Sequence, residues 1–354
     1  MTRGAFGPVI AAGLIGMGCG AGFSGPFGDR FGRRTALIGT VLLFSLVTAA
    51  TAFAGSLPVL GLLRFLAGLG IGGAMPNATA LAAEFVPVGR RAIAVSVTMI
   101  CVPLGGMIGG LAAAQILPGY GWRMLFAAGG VAPLLLCVLL WFVLPESPGF
   151  RAGAPKGERA SLAAVFAPDL LRDTLILWLL FFCNLLAVYM AFSWLPTLLT
   201  AEGLGLAAAS SGLAFYNLGG VAGVLICGAF ITRFGSRVPL LVAALGAVAS
   251  ALFMKGWPGY LLGGFAANGF FVNAVQVASF ALAAHVYPAK IRSTGIAFAL
   301  AFGRLGPVLS AFLGAGLIQA GRGAFLSFLA LVMGCTFVAL ALLRNHIPGT
   351  QRGR

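Results

Sequence analysis

The sequence predicts an all-α polytopic membrane protein, and three observations predict it. Of 354 residues, 60% are apolar and only 8% are Asp, Glu, Lys or Arg, with a mean hydropathy of +1.05. Soluble domains run at about 45–50% apolar and about 25% charged, so this much apolar surface requires lipid as its solvent. Charged residues and Pro/Gly breaks also cut the chain into apolar segments of about 20 residues, the length of one helical bilayer crossing. Finally, the Lys and Arg between those segments fall almost entirely on one side. The alternation of a β-barrel is absent, so the spanning elements are helices.

In chain order the segments are 7–25, 35–54, 58–84, 92–116, 123–144, 173–199, 208–230, 238–255, 258–285, 293–317 and 322–343, an odd number of crossings. The first is Gly-rich, too long for a signal-peptide core, and ends in charge rather than at a small-residue cleavage site. The longest polar stretch, "PESPGFRAGAPKGERASL" at 145–162, marks a linker. The expected organisation is an N-terminal bundle over 1–145, a cytoplasmic linker over 146–172 and a C-terminal bundle over 173–354. With these spans, sixteen Lys and Arg fall on one side, while Arg3, Arg123, Lys255 and Arg322 fall on the other. The positive-inside rule then puts the C-terminus in the cytoplasm and the N-terminus outside. The net charge of +15 is therefore a topology signal, and no nucleic-acid partner is expected. Cys19, Cys101, Cys137, Cys183, Cys227 and Cys335 all lie inside apolar runs without metal-ligand spacing, which makes them packing residues. No metal site is expected.

Charge is concentrated in "GPFGDRFGRR" (25–34), and that stretch returns 203 residues later as "GAFITRFGSR" (228–237). Upstream, Gly16 and Gly20 meet Gly219 and Gly223 at the same shift. At a shift of 201, "AAEFVPVGRR" (82–91) meets "AAHVYPAKIR" (283–292). A repeat this long is a duplication of a whole bundle. Because the matching segments lie on the same face in both halves, the copies run parallel, related by an axis along the membrane normal.

These residues carry a resemblance. "GPFGDRFGRR" resembles the loop 2–3 signature of the major facilitator superfamily, "RFLAGLGIGG" (64–73) its helix 4 motif, and "PLGGMIGG" (103–110) its helix 5 glycine motif. "AEFVPVGRRA", "YGWRMLFAAGG", "LPESPGF", "WLPTLL" and "YPAKIRSTG…GRLGP" together resemble the aromatic acid:proton symporter family of the 4-hydroxybenzoate type. The resemblance implies a major facilitator fold of two pseudo-symmetric helical bundles around a central cavity. Twelve helices are implied, of which the first is missing here. It further implies uptake of a small aromatic carboxylate, benzoate-like or 4-hydroxybenzoate-like, by proton symport with alternating access. The proton gradient is the energy source and no cofactor is needed. The expected partners are the aromatic acid, protons and the bilayer, and the expected state is a monomer in a bacterial cytoplasmic (inner) membrane. Alternatives are a sugar, organic-ion or drug porter of the same superfamily, or a truncated relic that does not transport.

The charged residues supply the candidate machinery. Gly25, Asp29, Arg30, Gly32, Arg33 and Arg34, with Arg233 and Arg237 in the second copy, are the candidate gate. Asp29 is the only acid of its stretch and can complement a helix N-terminus, while the arginines reach carboxylates. Thr232 replaces Asp29 in the repeat, so this clamp is asymmetric. Glu84 is a carboxylate inside a predicted span, at its loop-side end. It is expected to pair with Arg91 or with the first loop, and is also a proton-coupling candidate, as is His285. Arg292 is the repeat partner of Arg91. Arg64 and Arg304 fall inside apolar spans, where an ionisable group is costly and faces a cavity or a partner. Arg304 is placed about twelve residues into its helix, near the midplane, and its guanidinium suits a carboxylate. Asn184, Tyr189, Trp194, Tyr216, Asn217, Asn273 and Gln276 complete the substrate-binding candidates. "GLGIGG" (68–73) fits a dinucleotide pattern but lies mid-helix with no preceding strand, so close helix packing explains it. No nucleophile triad or phosphate loop is present, and no enzymatic activity is expected.

Overall fold

The computed structural model describes residues 6–87, 91–146, 165–288 and 291–349, and within them the side chains of 25, 26, 29, 91–93, 95, 96, 258 and 292–294 lie outside the description. The helices are α1 (Gly7–Phe31), α2 (Arg33–Thr51), α3 (Leu57–Glu84), α4 (Arg91–Val143), α5 (Pro168–Ala201), α6 (Leu206–Phe234), α7 (Arg237–Gly256), α8 (Leu261–Val286), α9 (Arg292–Gly303), α10 (Leu305–Gln319) and α11 (Arg322–Leu342). No strand occurs among the described residues. Ten of the helical stretches are long and apolar enough to cross a bilayer. One of them, Val97–Val143, runs for 47 residues and is broken at Gly121, where φ is 71°. At about 20 residues per crossing it spans twice, and the predicted segments 92–116 and 123–144 flank the break.

One expectation about local structure is corrected. The charged stretch 25–34 is not a loop. Helix α1 continues through Asp29 and Arg30 to Phe31, and only Gly32, at φ 96°, separates it from α2. Charged side chains are compatible with helix, and a single left-handed residue, which glycine adopts without penalty, turns the chain. Gly235, at φ 80°, does the same between α6 and α7. Arg304 lies within the apolar stretch Gly295–Gln319, with helical φ and ψ, and is the one residue between α9 and α10. Pro307 has no N–H to offer the carbonyl of Gly303, so the helix resets one residue after Gly303.

The chain divides into two compact units, Met1–Val102 with Ala112–Gly157, and Pro103–Leu111 with Glu158–Arg354. In the first, α1 lies against α3 with backbone touching backbone. Gly16 and Gly20 sit on the carbonyls of Phe65 and Leu69, and Gly68 and Gly72 on those of Gly13 and Met17. A Cβ at any of the four would overlap a carbonyl oxygen. Small residues at such contacts are what lets helices in lipid approach closely, and this accounts for "GLGIGG". Leu37, Ile38, Val41, Leu81 and Cys137 form the apolar cluster that joins α2, α3 and the second half of α4.

The second unit repeats this packing. Gly219 and Gly223 sit on Ala266 and Phe270, and Gly269 sits on Tyr216. Gly16 and Gly219 are 203 residues apart, while Phe65 and Ala266 are 201 apart. The two shifts seen in the sequence are therefore those of the two helices that pack together. Even the rings recur. Phe27 and Phe31 pair at 4.6 Å with Arg30 over Phe31, and Phe230 and Phe234 pair at 5.7 Å with Arg233 over Phe234. Through this unit runs α5, whose Leu177, Leu180, Phe181, Met190 and Leu195 are fully buried. Gly303 and Gly306 bring the α9–α10 break directly against α5 at Phe181 and Phe182. Across both units the exposed side chains include many large apolar ones, among them Phe53, Phe142 and Val143, as a lipid-facing surface requires.

Candidate functional site

In the second unit the interior polar residues converge on one stretch of α8. The Asn184 amide, on α5, donates to the Val272 carbonyl at 3.4 Å. The fully buried Tyr216 hydroxyl, on α6, lies beside the Asn273 carboxamide without closing a hydrogen bond to it. Gln276 follows one turn further along α8. The Asn184 Oδ1, the Gln276 Oε1 and the Tyr216 hydroxyl are all buried and have no hydrogen-bond partner. Unpartnered buried polar atoms are rare in folded proteins, and three of them on facing helices form a wall that can accept donors from a ligand. Five residues along α5 from Asn184, about 7.5 Å of helix, Tyr189 is the electrostatic neighbour of Arg304. The helix break therefore brings a half-buried guanidinium beside Tyr189, on the same helix as Asn184.

Other candidates are committed elsewhere. The Trp194 indole N–H donates to the Ser310 carbonyl at 2.9 Å, and the ring lies over Gly314, where a Cβ would strike it. These contacts fix the ring against α10. Asn217 donates back to the Leu213 carbonyl at 2.8 Å and touches Gly106 of the "PLGGMIGG" segment. Asn273 donates to Gly269 at 2.9 Å. Arg64 belongs to the first unit, where its Nη2 donates to Thr51 Oγ1 at 3.0 Å and its guanidinium lies 4.6 Å from the Phe126 ring centroid. These contacts give Arg64 a structural role at the ends of α2 and α3.

At the loop face of the first unit, Glu84 is paired with Arg33, Nε to Oε1 at 2.8 Å, so the first loop supplies a partner. The Arg34 backbone N–H donates to Glu146 Oε1 at 3.0 Å, and the Arg34 side chain reaches the Trp141 carbonyl and stacks over its ring at 5.6 Å. Glu146 thus caps the N-terminus of α2, where a carboxylate is favoured. It fits because Gly32 has no Cβ. Arg30 is exposed. The side-chain positions at Gly25, Asp29, Arg91 and Arg292 lie outside the described residues.

The matching face of the second unit is organised differently. The Ser236 backbone N–H donates to the Ile347 carbonyl at 2.9 Å. The Ile347 N–H donates to Ser236 Oγ at 2.9 Å, and His346 Nδ1 is 3.2 Å from that oxygen. Buried Asp173 accepts from Asn345 Nδ2 at 2.8 Å. Burial holds the His346 imidazole below its ordinary titration range, with Arg237 and His285 adding to the effect and the Leu340 carbonyl and Asp173 opposing it. His285 itself is exposed. Sequence reasoning missed Glu146, Asp173, Arg344 and His346. Glu146 and His346, equivalent at an offset of 200, were within reach of the repeat. Among the described residues, no group of three or more His, Cys, Asp or Glu could hold a metal ion.

Comparison with known proteins places this geometry. The Major Facilitator Superfamily model matches residues 1–254 and 213–354. A gallate transporter of Pseudomonas putida is 34% identical, covering 98% of this chain and 84% of its own. The 4-hydroxybenzoate transporter PcaK of Pseudomonas aeruginosa is 34% identical over 97% of this chain and 84% of its own. The 3-(3-hydroxy-phenyl)propionate transporter of Escherichia coli K12 is 37% identical over 89% and 78%. Among solved structures, a D-xylose-proton symporter superposes over 98% of this chain and 88% of its own with a TM-score of 0.75 at 20% identity, a likeness of fold.

Proposed function

Because the chain belongs to the Major Facilitator Superfamily, whose aromatic-acid transporters are its 34–37% identical relatives, we propose that it is a secondary transporter for a small hydroxylated aromatic carboxylate. The observation that carries the reading is the wall in the second unit. Arg304 stands at a helix break, and the oxygens of Asn184 and Gln276 and the Tyr216 hydroxyl stand buried without partners on the flanking helices. Gallate, 4-hydroxybenzoate and 3-(3-hydroxyphenyl)propionate each join a carboxylate to a ring carrying hydroxyl. A carboxylate is matched by the two parallel donors of a guanidinium, and a phenolic hydroxyl is a donor for an unpartnered amide oxygen. The apolar ring is matched by the surrounding Leu and Phe.

Proton symport and alternating access complete the proposal, on the resemblance to the aromatic acid:proton symporter family, with the proton gradient as energy source. The Glu84–Arg33 pair and the Arg34–Glu146 cap are assigned to holding the loop face in one state. We assign the loop face to the cytoplasm of a bacterial inner membrane by its excess of Lys and Arg. Neither Glu84 nor His285 belongs to the polar wall, so proton coupling through either acts at the loop face.

The test is equilibrium binding of 4-hydroxybenzoate, benzoate and benzamide to the purified protein. Arg304→Ala is expected to weaken carboxylate binding by more than about tenfold, the lower end for a charge-assisted hydrogen bond. Arg304→Lys should recover little of it, since lysine keeps the charge and loses the planar fork. Gln276→Leu should weaken 4-hydroxybenzoate more than benzoate. Unchanged affinity in well-folded Arg304→Ala, or benzamide competing as well as benzoate, would remove the arginine–carboxylate pairing.

A further inference from the structure

Where the segment after α11 returns to the α6–α7 turn, it encloses a cavity of about 430 Å³ lined by Arg233, Arg237, Arg344 and His346. Among the described residues, no carboxylate lines it. Among the described residues, none of the three arginines is in an ion pair. The nearby acid, Asp173, is already held by Asn345 Nδ2 at 2.8 Å and by the Arg344 backbone N–H at 3.5 Å. The floor is rigid, because Ser236 and Ile347 exchange hydrogen bonds and Gly349 packs directly on Gly235.

The duplication provides an internal control for this cavity. Gly32 and Gly235 are equivalent, as are Arg34 and Arg237, at a shift of 203, while at a shift of 200, which pairs Gly121 with Gly321 and Pro148-Gly149 with Pro348-Gly349, Glu146 corresponds to His346. In the first unit a Cβ on Gly32 would strike the Glu146 carboxylate. In the second, a Cβ on Gly235 would strike the Ile347 backbone carbonyl. The first unit thus supplies an anion of its own against its basic turn, and the second puts neutral backbone there and leaves a cluster of guanidinium groups beside it.

A second cavity, of about 370 Å³, adjoins the first and shares Phe234 with it. It is an apolar groove on the cytoplasmic halves of α6, α7 and α8, lined by Phe230, Val238, Val242 and Phe270. Phe230, Phe234, Val238 and Val242 are each more than half exposed, so the groove opens towards lipid. A basic pocket that continues into an apolar groove fits a molecule with an anionic head and a hydrocarbon tail. The geometry points to a binding site for an anionic phospholipid of the loop-side leaflet, with its phosphate against Arg233, Arg237 and Arg344 and an acyl chain along Phe230, Phe234 and Val242. Guanidinium groups bind phosphate oxygens through paired hydrogen bonds, and basic pockets between helices on the cytoplasmic side are where anionic head groups bind. A free phosphate ion would use the first cavity and have no use for the second.

The experiment is native mass spectrometry of the delipidated full chain. Titrants are cardiolipin, phosphatidylglycerol and phosphatidylcholine, with inorganic phosphate as the soluble probe and thermal stability read in parallel. The wild type is expected to retain cardiolipin and phosphatidylglycerol in preference to phosphatidylcholine, and millimolar phosphate should raise stability far less than either anionic lipid. Arg237→Gln/Arg344→Gln should lose roughly 30-fold in anionic-lipid affinity, from the worth of two arginines near an anionic surface. Ile347→Glu places a carboxylate in the cavity lining beside the Gly235 turn, and should abolish the preference without removing any arginine. Should the double variant fail to fold, Ile347→Glu carries the test. An unchanged lipid preference in Ile347→Glu would overturn the site. Stabilisation by phosphate equal to that by phosphatidylglycerol would overturn the lipid assignment in favour of a soluble anion.

Discussion

The Arg33–Glu84 pair has a strength that the structure bounds, and its removal separates two roles for Glu84. The N–O distance is 2.8 Å, and the side chains are 30% and 25% exposed. With charge centres about 4 Å apart in an effective dielectric near 20, the gross attraction is about 4 kcal/mol. Desolvation and side-chain ordering remove most of it. Exposed pairs retain roughly 0.2–1 kcal/mol, and loss of one partner of a fully buried pair costs about 3–5 kcal/mol. For a pair at this exposure, a coupling of about 1–1.5 kcal/mol is expected between Arg33→Gln and Glu84→Gln in a double-mutant cycle. Equilibrium unfolding in mixed micelles measures it, and uptake into proteoliposomes is followed alongside. If Glu84 acts through the pair, both single variants slow uptake alike and the double variant is little worse than either. If Glu84 instead carries the proton, Glu84→Gln alone abolishes accumulation driven by a pH gradient, spares substrate exchange at equal pH, and Arg33→Gln accumulates normally. Additive stability effects together with that transport pattern would refute the ion-pair role.

Two further predictions concern packing and pH. Gly269→Ala puts a Cβ into the Tyr216 carbonyl and should cost about 1–3 kcal/mol, the usual range for overpacking. Gly18→Ala, which meets nothing within 4 Å, should be neutral or stabilising by up to about 1 kcal/mol. Equal melting temperatures for the two would contradict the backbone contact between α6 and α8. His346 titrates lower in the fold than in the unfolded chain, so its stability contribution is present above about pH 6.5 and lost as pH falls through its folded-state range. An anion in the neighbouring cavity stabilises the imidazolium, against the charges of Arg237 and His285 and with that of Asp173. Phosphatidylglycerol binding should therefore tighten as pH falls from 7.5 to about 5.5 in wild type and stay flat in His346→Gln. A flat wild-type profile would remove His346 from the cavity's electrostatics.

Much of the architecture was legible because lipid imposes a simple rule. Each crossing is an apolar run between charges, so the predicted segments and the helices share most of their residues. Helix ends were less legible. The charge cluster at 25–34 reads as loop, yet Asp29 and Arg30 are helical because only Gly32 leaves the helical region. The break at Arg304 was not legible, because the effect of Pro307 is displaced four residues upstream. Polar residues in apolar runs stand out by type, but composition cannot say what an amide or indole faces. Trp194 is spent on the Ser310 carbonyl while the Gln276 oxygen is left without a partner. The Gly32–Glu146 contact joins residues more than a hundred apart, and no local pattern announces it.

The two units show how a duplicated packing can acquire a polar interior in one copy alone. The distance between paired helices depends on one partner being small at each contact, and the partner that is small can change. Gly72 against Met17 in the first unit becomes Asn273 against Gly220 in the second. In this exchange, volume moves across the interface and a glycine takes its place. It has a chemical consequence, since the larger member becomes an amide on α8. Tyr216 and Gln276 then stand where the first unit has Gly13 and Met75. Gly13 and Met75 offer no polar side-chain atoms, so the first unit has no equivalent of the wall. The same divergence at the loop face gave the first unit Glu146 and the second His346. A carboxylate that neutralises the turn in one copy is therefore absent in the other, and the anion for Arg237 has to come from outside the equivalent position.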